Sequence, residues 1–230
     1  MQVEKKIDVL KLFADDEQTQ LLIEEIQAGV NKPIVLKSLQ GSFKTIVAAN
    51  VFQKTNFNHL FVLSDLEEAL YFIDDIQNLD KTITCYLFPS SDRIKSGDNN
   101  VILERINVLS QIQNKKQKLI ITYPQAIKDK IINKSEFNKK KLILKVGDKF
   151  NLETFIDLLY KMDFKNTNFV LNPGEFSIRG FIIDVFSYSK EHPYRILLDG
   201  DIIDEISLFK VNSQVSLEQV EKIEVISNIE

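Results

Sequence analysis

Short apolar runs alternate with longer stretches of helical spacing in the first half of this chain, and that alternation limits the fold more than any other feature. Ile34-Val35-Leu36, Leu60-Phe61-Val62-Leu63, Tyr86-Leu87-Phe88 and Leu119-Ile120-Ile121 are each short enough to be a buried strand. Between them Leu66, Ala69, Leu70, Ile73 and Ile76, and later Ile102, Ile106, Leu109 and Ile112, recur every three or four residues, which places each set on one helix face. Ser64 or Asp65 stands where the first of these helices needs an N-cap, and Glu67 and Glu68 fall in its first turn, where the helix dipole favours acids. Strands alternating with helices predict a parallel sheet covered on both faces, so residues 1–132 are expected to form an α/β domain.

The pattern then changes. Asn133 to Lys141, NKSEFNKKK, is expected to be a solvated connection marking the domain boundary. Beyond it come a strand-like Leu142-Ile143-Leu144, a helix around Leu152 to Met162, and a run dominated by strands. Asn172-Pro173-Gly174 reads as a turn feeding one strand from Phe176 to Phe186. Asp199-Gly200, between Tyr194–Leu198 and Asp201-Ile202-Ile203, reads as a type I′ hairpin. Residues 133–230 are therefore expected to form a smaller α+β domain of mainly antiparallel strands.

Composition removes several function classes. The 29 basic and 33 acidic residues leave a net charge of -4, so there is no overall positive field to hold a nucleic-acid backbone. Lys134 and Lys139-Lys140-Lys141 could form a local basic patch, but a solvated loop is the plainer reading. The single cysteine, Cys85, excludes a disulfide framework and sits in the apolar TCYLF as a small buried residue. His59 and His192 match no compact metal motif and read as a polar residue before a strand and a loop residue. No apolar stretch approaches the roughly 20 residues needed to span a bilayer, and the opening MQVEKKIDVLKLF lacks a secretory pattern, so a cytoplasmic location without membrane contact is expected.

Lys37-Ser38-Leu39-Gln40-Gly41-Ser42-Phe43-Lys44-Thr45, between an expected strand and an expected helix, has the context of a phosphate-binding loop. A working loop needs glycines where this chain has Ser38 and Phe43, because only glycine lets the backbone N–H groups wrap closely around phosphates. Lys44 and Thr45 are retained, Gly41 supplies backbone freedom, and no strand ends in a convincing acidic magnesium ligand. The stretch can thus be an ordinary strand-to-helix turn, a surviving MgATP site, or a nucleotide loop that has lost its ligand.

The second half carries Asn172-Pro173-Gly174-Glu175-Phe176-Ser177-Ile178-Arg179-Gly180-Phe181-Ile182-Ile183-Asp184-Val185-Phe186, then His192-Pro193-Tyr194-Arg195-Ile196-Leu197-Leu198-Asp199-Gly200-Asp201. This resembles the PGEF-x-x-RG-x-x-x-D-x-F and HP-x-R signature of transcription-repair coupling factors, a form of which occurs in UvrB. Leu144-Lys145-Val146-Gly147-Asp148, Leu87-Phe88-Pro89 and Asn100-Val101-Ile102-Leu103-Glu104-Arg105 match further segments, so the resemblance covers most of the chain after about Lys32.

The resemblance implies a RecA/helicase-like α/β domain whose nucleotide loop is degenerate, without ATPase activity or cofactor, and a UvrB-like domain that binds the repair protein UvrA. It also implies that the chain is a monomeric fragment of a longer ATP-dependent DNA translocase that engages RNA polymerase and DNA. Arg179 carries over most firmly as a partner-binding residue, since a guanidinium presents a fork of donors suited to a carboxylate. Phe176, Phe181 and Phe186 interleave with it. Arg195 is a weaker candidate, equally able to pair with Asp201 or Asp204. A family interface arginine falls near Asn166 here, with Lys165 beside it, and Ser177 stands where UvrB has another arginine. A P-loop ATPase or helicase fragment that still binds MgATP is the alternative.

Overall fold

The computed structural model describes residues 9–29, 31–95 and 100–229; the opening residues 1–8, part of the segment read for a targeting signal, lie outside them. In chain order the elements are α1 (Val9–Ala14), α2 (Glu17–Gln27), α3 (Phe43–Lys54), β1 (His59–Val62), α4 (Leu66–Leu79), β2 (Cys85–Leu87), α5 (Asp92–Lys95), α6 (Asn100–Ile112), β3 (Leu119–Thr122) and α7 (Pro124–Ile127). They continue with α8 (Lys134–Lys139), β4 (Lys141–Lys145), α9 (Leu152–Lys161), β5 (Lys165–Asn166), β6 (Glu175–Arg179), β7 (Ile182–Val185), β8 (Tyr194–Asp199), β9 (Ile202–Phe209), β10 (Ser216–Gln219) and β11 (Lys222–Ile226). The chain divides into two compact units, one running to Ser90 and resuming over Gln111–Lys128, the other taking Ser91–Ser110 and everything from Asp129.

In the first unit β3 is the central strand of a parallel sheet of order β1-β3-β2. All four of its residues are buried, as the unbroken apolar run requires of a strand covered on both faces. Helix α4 begins at the expected cap, where the Asp65 side chain accepts the Glu68 backbone N–H, and it lays Ala69, Phe72 and Ile76 against the sheet. Leu70, counted in the apolar stripe, faces out. The expected strand at Ile34-Val35-Leu36 does not form, and all three side chains are exposed. Strand propensity expresses fit to a pleated, half-buried surface. Among the described residues no neighbouring strand offers that surface here, and Pro33 just ahead has no N–H to contribute.

The second unit holds a six-stranded sheet of order β10-β9-β8-β7-β6-β5, antiparallel except for the β5–β6 pair, and a separate antiparallel pair of β4 with β11. Its core gathers Phe155 and Leu159 from α9, Phe176, Ile183, Val185, Ile196 and Ile206 from the large sheet, and Ile223 and Val225 from β11. A smaller cluster joins Ile102 and Ile106 of α6 to Phe137 and Ile226.

Three local expectations are corrected. The lysine-rich 133–141 segment is not a solvated connection: Asn133 caps α8 by accepting the Glu136 N–H, and Phe137 is buried. One large aromatic and a cap outweigh four lysines that can all reach water. The strand expected over Phe176–Phe186 is a hairpin, because Gly180 at φ 62° reverses the chain so that Arg179 faces Ile182 across it. The Asp199 hairpin forms in the expected place, but only Gly200 of its two loop residues has positive φ, at 60°. That is the pattern of a type II′ turn and not type I′, with glycine at the first central position.

Candidate functional site

The residues singled out on β6, β7 and β8 meet around a carboxylate that the sequence reading passed over. Cross-strand register sets Ser177 opposite Asp184, Asp184 opposite Arg195 and Arg195 opposite Ser207, forming one polar row on the sheet face away from the main core. Asp184 is 1% exposed. It accepts from Arg195 twice, Nε to Oδ1 at 2.8 Å and Nη2 to Oδ2 at 2.9 Å, and from Arg179 Nη2 to Oδ2 at 2.5 Å. Arg195 therefore pairs with Asp184, and neither Asp201 nor Asp204 is its partner. A buried carboxylate is tolerated only with such partners, and the planar fork of arginine supplies them bidentately.

The two guanidiniums differ in exposure and in what surrounds them. Arg195 lies 4.4 Å above the Phe209 ring and donates to Gln214 Oε1 at 3.0 Å and Gln214 O at 3.3 Å, which ties it into the loop before β10. Its hydrogen bonds to Asp184 raise its pKa further, so it stays charged throughout the accessible pH range. Arg179 keeps 36% of its side chain exposed. It reaches the Asn168 carbonyl at 3.3 Å and sits 5.5 Å from the Phe169 ring centroid. Phe169, Leu171 and Phe181, the last at the β6–β7 hairpin tip, are exposed. Phe169 and Leu171 went unread because they lie in a loop outside any strand pattern.

The other motif residues have separate places. Phe176 and Phe186 are buried, and their rings do not face solvent. Lys165 is exposed on the edge strand β5, opposite Glu175. Burial tends to raise the Glu175 pKa, but the Leu171 and Asn172 N–H groups and Lys165 bring it below the usual carboxylate value. Glu175 thereby closes the turn that displays Leu171 and positions β6. Gly174 in that turn has φ 86°, and a Cβ there would meet the Tyr188 hydroxyl at 2.5 Å, so the Pro-Gly-Glu-Phe segment is explained by local backbone needs.

The 37–45 loop lacks the preceding strand expected of it. Ser38 at φ 64° and Gly41 at φ 56° both take left-handed conformations. Phe43 opens α3 and packs edge-on against Phe13, with centroids 5.2 Å apart. Lys44 ion-pairs with Glu68, which also accepts from the Ser64 N–H and hydroxyl. Those bonds, the one from Lys44 foremost, pull the Glu68 pKa down to about 2. Thr45 is fully buried and its hydroxyl turns to Asp75 at 3.4 Å. The lysine and threonine that would serve a phosphate and its magnesium are thus engaged internally.

Two further titratable side chains, His59 and Cys85, have shifted values. His59 accepts or donates with the Thr55 hydroxyl at 2.7 Å, and burial lowers its pKa. Burial pushes the Cys85 thiol up to about 11. Among the described residues no group of three His, Cys, Asp or Glu side chains could hold a metal, and no helix is long and apolar enough to cross a membrane.

Comparison with known proteins agrees with the motif. Residues 142–230 match the family model described as the UvrB interaction domain. The chain is 24% identical over 208 residues to the transcription-repair-coupling factor of Bacillus subtilis (strain 168), covering 89% of this chain and 18% of that protein. With the same-named protein of Staphylococcus aureus (strain bovine RF122 / ET3-1) it shares 26% identity over 195 residues, 83% of this chain and 17% of the relative. With that of Rickettsia prowazekii (strain Madrid E) it shares 33% over 168 residues, 70% of this chain and 15% of the relative. The chain thus spans less than a fifth of the length of these curated relatives. Residues 142–230 are therefore similar to the UvrB interaction domain, and most of the chain's length is similar to part of the transcription-repair-coupling factors.

Proposed function

We propose that this chain is a non-catalytic docking module that recruits the nucleotide-excision-repair protein UvrA, with the face around Arg179 as its contact. The observation that carries this reading is the part-exposed Arg179 guanidinium, held by the buried Asp184 and set against the exposed Phe169 ring, with Leu171 and Phe181 exposed in the loop before β6 and at the β6–β7 hairpin tip. A charged fork fixed in position beside exposed aromatic rings is the composition of an interaction hot spot. Arg195 supports it from behind through the shared carboxylate, and Lys165 adds charge at the sheet edge. Phe176 and Phe186 act from beneath, as the packing that holds the strands in register.

The first unit serves as scaffold. It is a degenerate relative of the helicase-type α/β domain, with Lys44 neutralised by Glu68 and Thr45 turned inward, and hydrolysis is assigned elsewhere in the longer parent. That parent is proposed to be an ATP-dependent DNA translocase that engages RNA polymerase and DNA, so UvrA docking would link stalled transcription to repair.

Calorimetric titration of the chain with purified UvrA tests the reading. Wild-type binding that Arg179→Glu weakens at least tenfold, with an unchanged circular dichroism spectrum, is the expected result; losing one central interface arginine typically costs about 2 kcal/mol or more. Equal affinity of the variant would remove Arg179 from the interface, and heat from MgATP without UvrA binding would favour a nucleotide site.

A further inference from the structure

An open-sided cavity of about 760 Å³ in the first unit, at the start of β2 and β3, is lined by Lys116, Lys118, Thr82, Thr84, Gln111 and Tyr86 among others. Lys118 is 3% exposed, yet the one acceptor its ammonium reaches is the Lys116 carbonyl, at 2.5 Å. Among the described residues it has no carboxylate partner. An ammonium carries three donors, and burying it without a counter-charge is strongly unfavourable unless an anion completes it.

The rest of the lining has the matching character. None of the lining side chains is a carboxylate. Lys116 adds a second, exposed cation, and Thr84 offers a hydroxyl. Asn114 donates to Gln111 Oε1 at 3.1 Å, which leaves the Gln111 amide hydrogens directed elsewhere. Asp80, the acid nearest in sequence, is occupied by the Thr82 N–H and hydroxyl and by Gln53. Phe52 and Tyr86 supply aromatic wall beside these donors.

We propose that this cavity is an oxyanion site, in which the buried Lys118 ammonium pairs with a phosphate group, either as free phosphate or on a small phosphorylated ligand. It is independent of the Arg179 face and of the 37–45 loop, and no residue is shared among the three.

NMR titration of the full chain with inorganic phosphate at constant ionic strength, and in parallel with adenosine monophosphate, tests it. Saturable shifts at the Thr84, Gln111 and Lys118 amides are expected, lost in Lys118→Met, which should fold at least as stably without phosphate. Phosphate should also raise the melting temperature of the wild type and not of Lys118→Met, since a ligand stabilises only the fold that binds it. Should Lys118→Met fail to fold, the rim variants Lys116→Gln and Gln111→Ala are each expected to weaken binding severalfold. Adenosine monophosphate binding tenfold tighter than phosphate would identify a phosphorylated ligand with its ring against Tyr86; equal affinity would identify the phosphate ion. Absence of saturation, or the same shifts in Lys118→Met, would mean an adventitious ion only and would overturn the proposal.

Discussion

Asp184 is where the sheet's two arginines converge, and removing its charge strands both. Asp184→Ala is expected to destabilise the second unit by about 3–5 kcal/mol, the usual penalty for leaving buried ions without their partner, as read by urea denaturation. Arg179→Ala, whose side chain is part-exposed, should lose far less stability while still losing UvrA. At the 37–45 loop, whose Lys44 it holds, the Glu68 carboxyl gives a pH signature. Its value falls from the ordinary 4.5 to about 2 on folding, so its contact with Lys44 is complete above pH 4.5 and is lost as pH falls through 2. A carboxyl-carbon NMR titration should find a midpoint near 2, returning towards 4.5 in Lys44→Met. A midpoint unmoved by that substitution would show that Ser64 alone holds the charge.

At the level of elements, Gly174 and α8 give the sharpest tests. Gly174→Ala places a Cβ in a left-handed turn and against Tyr188, so a loss of roughly 1–3 kcal/mol from backbone strain alone is expected, before any displacement of the ring. Phe137→Ala should cost about 3–5 kcal/mol as a buried phenylalanine, whereas an exposed loop residue would cost almost nothing. Elements were legible in the sequence where local chemistry agreed with tertiary need: Asp65 and the apolar stripe of α4, or Gly200 between two strand-like runs. They were not legible where a distant partner decided. Ile34–Leu36 looks like a strand but lacks a neighbour, and lysines masked the buried Phe137. Of the candidate site, Arg179 and Arg195 could be named from motif residues. Their joining through Asp184 could not, because a buried acid is explained only by the three-strand register that brings both guanidiniums to it.

For the whole molecule, the segment matching the UvrB interaction domain is smaller than the physical unit that contains it. A polypeptide of residues 142–230 would keep the Arg179 face but lose α6 and α8, uncovering the Ile226 end of β11 and removing Lys141 from the β4 ladder. It is expected to bind UvrA with near-wild-type affinity while unfolding at lower urea than a polypeptide extended back to residue 91; equal midpoints would show that the α6–α8 cluster adds nothing. The same interleaving sets the order of events on the ribosome. The central strand β3 is the last of the first unit's three to be synthesised, so β1 and β2 emerge without the partner both require. Their apolar edges must wait, with α6 of the other unit made in between, until Leu119–Thr122 clears the exit tunnel; the nascent chain is therefore most exposed to chaperone capture and strand-edge aggregation over this interval.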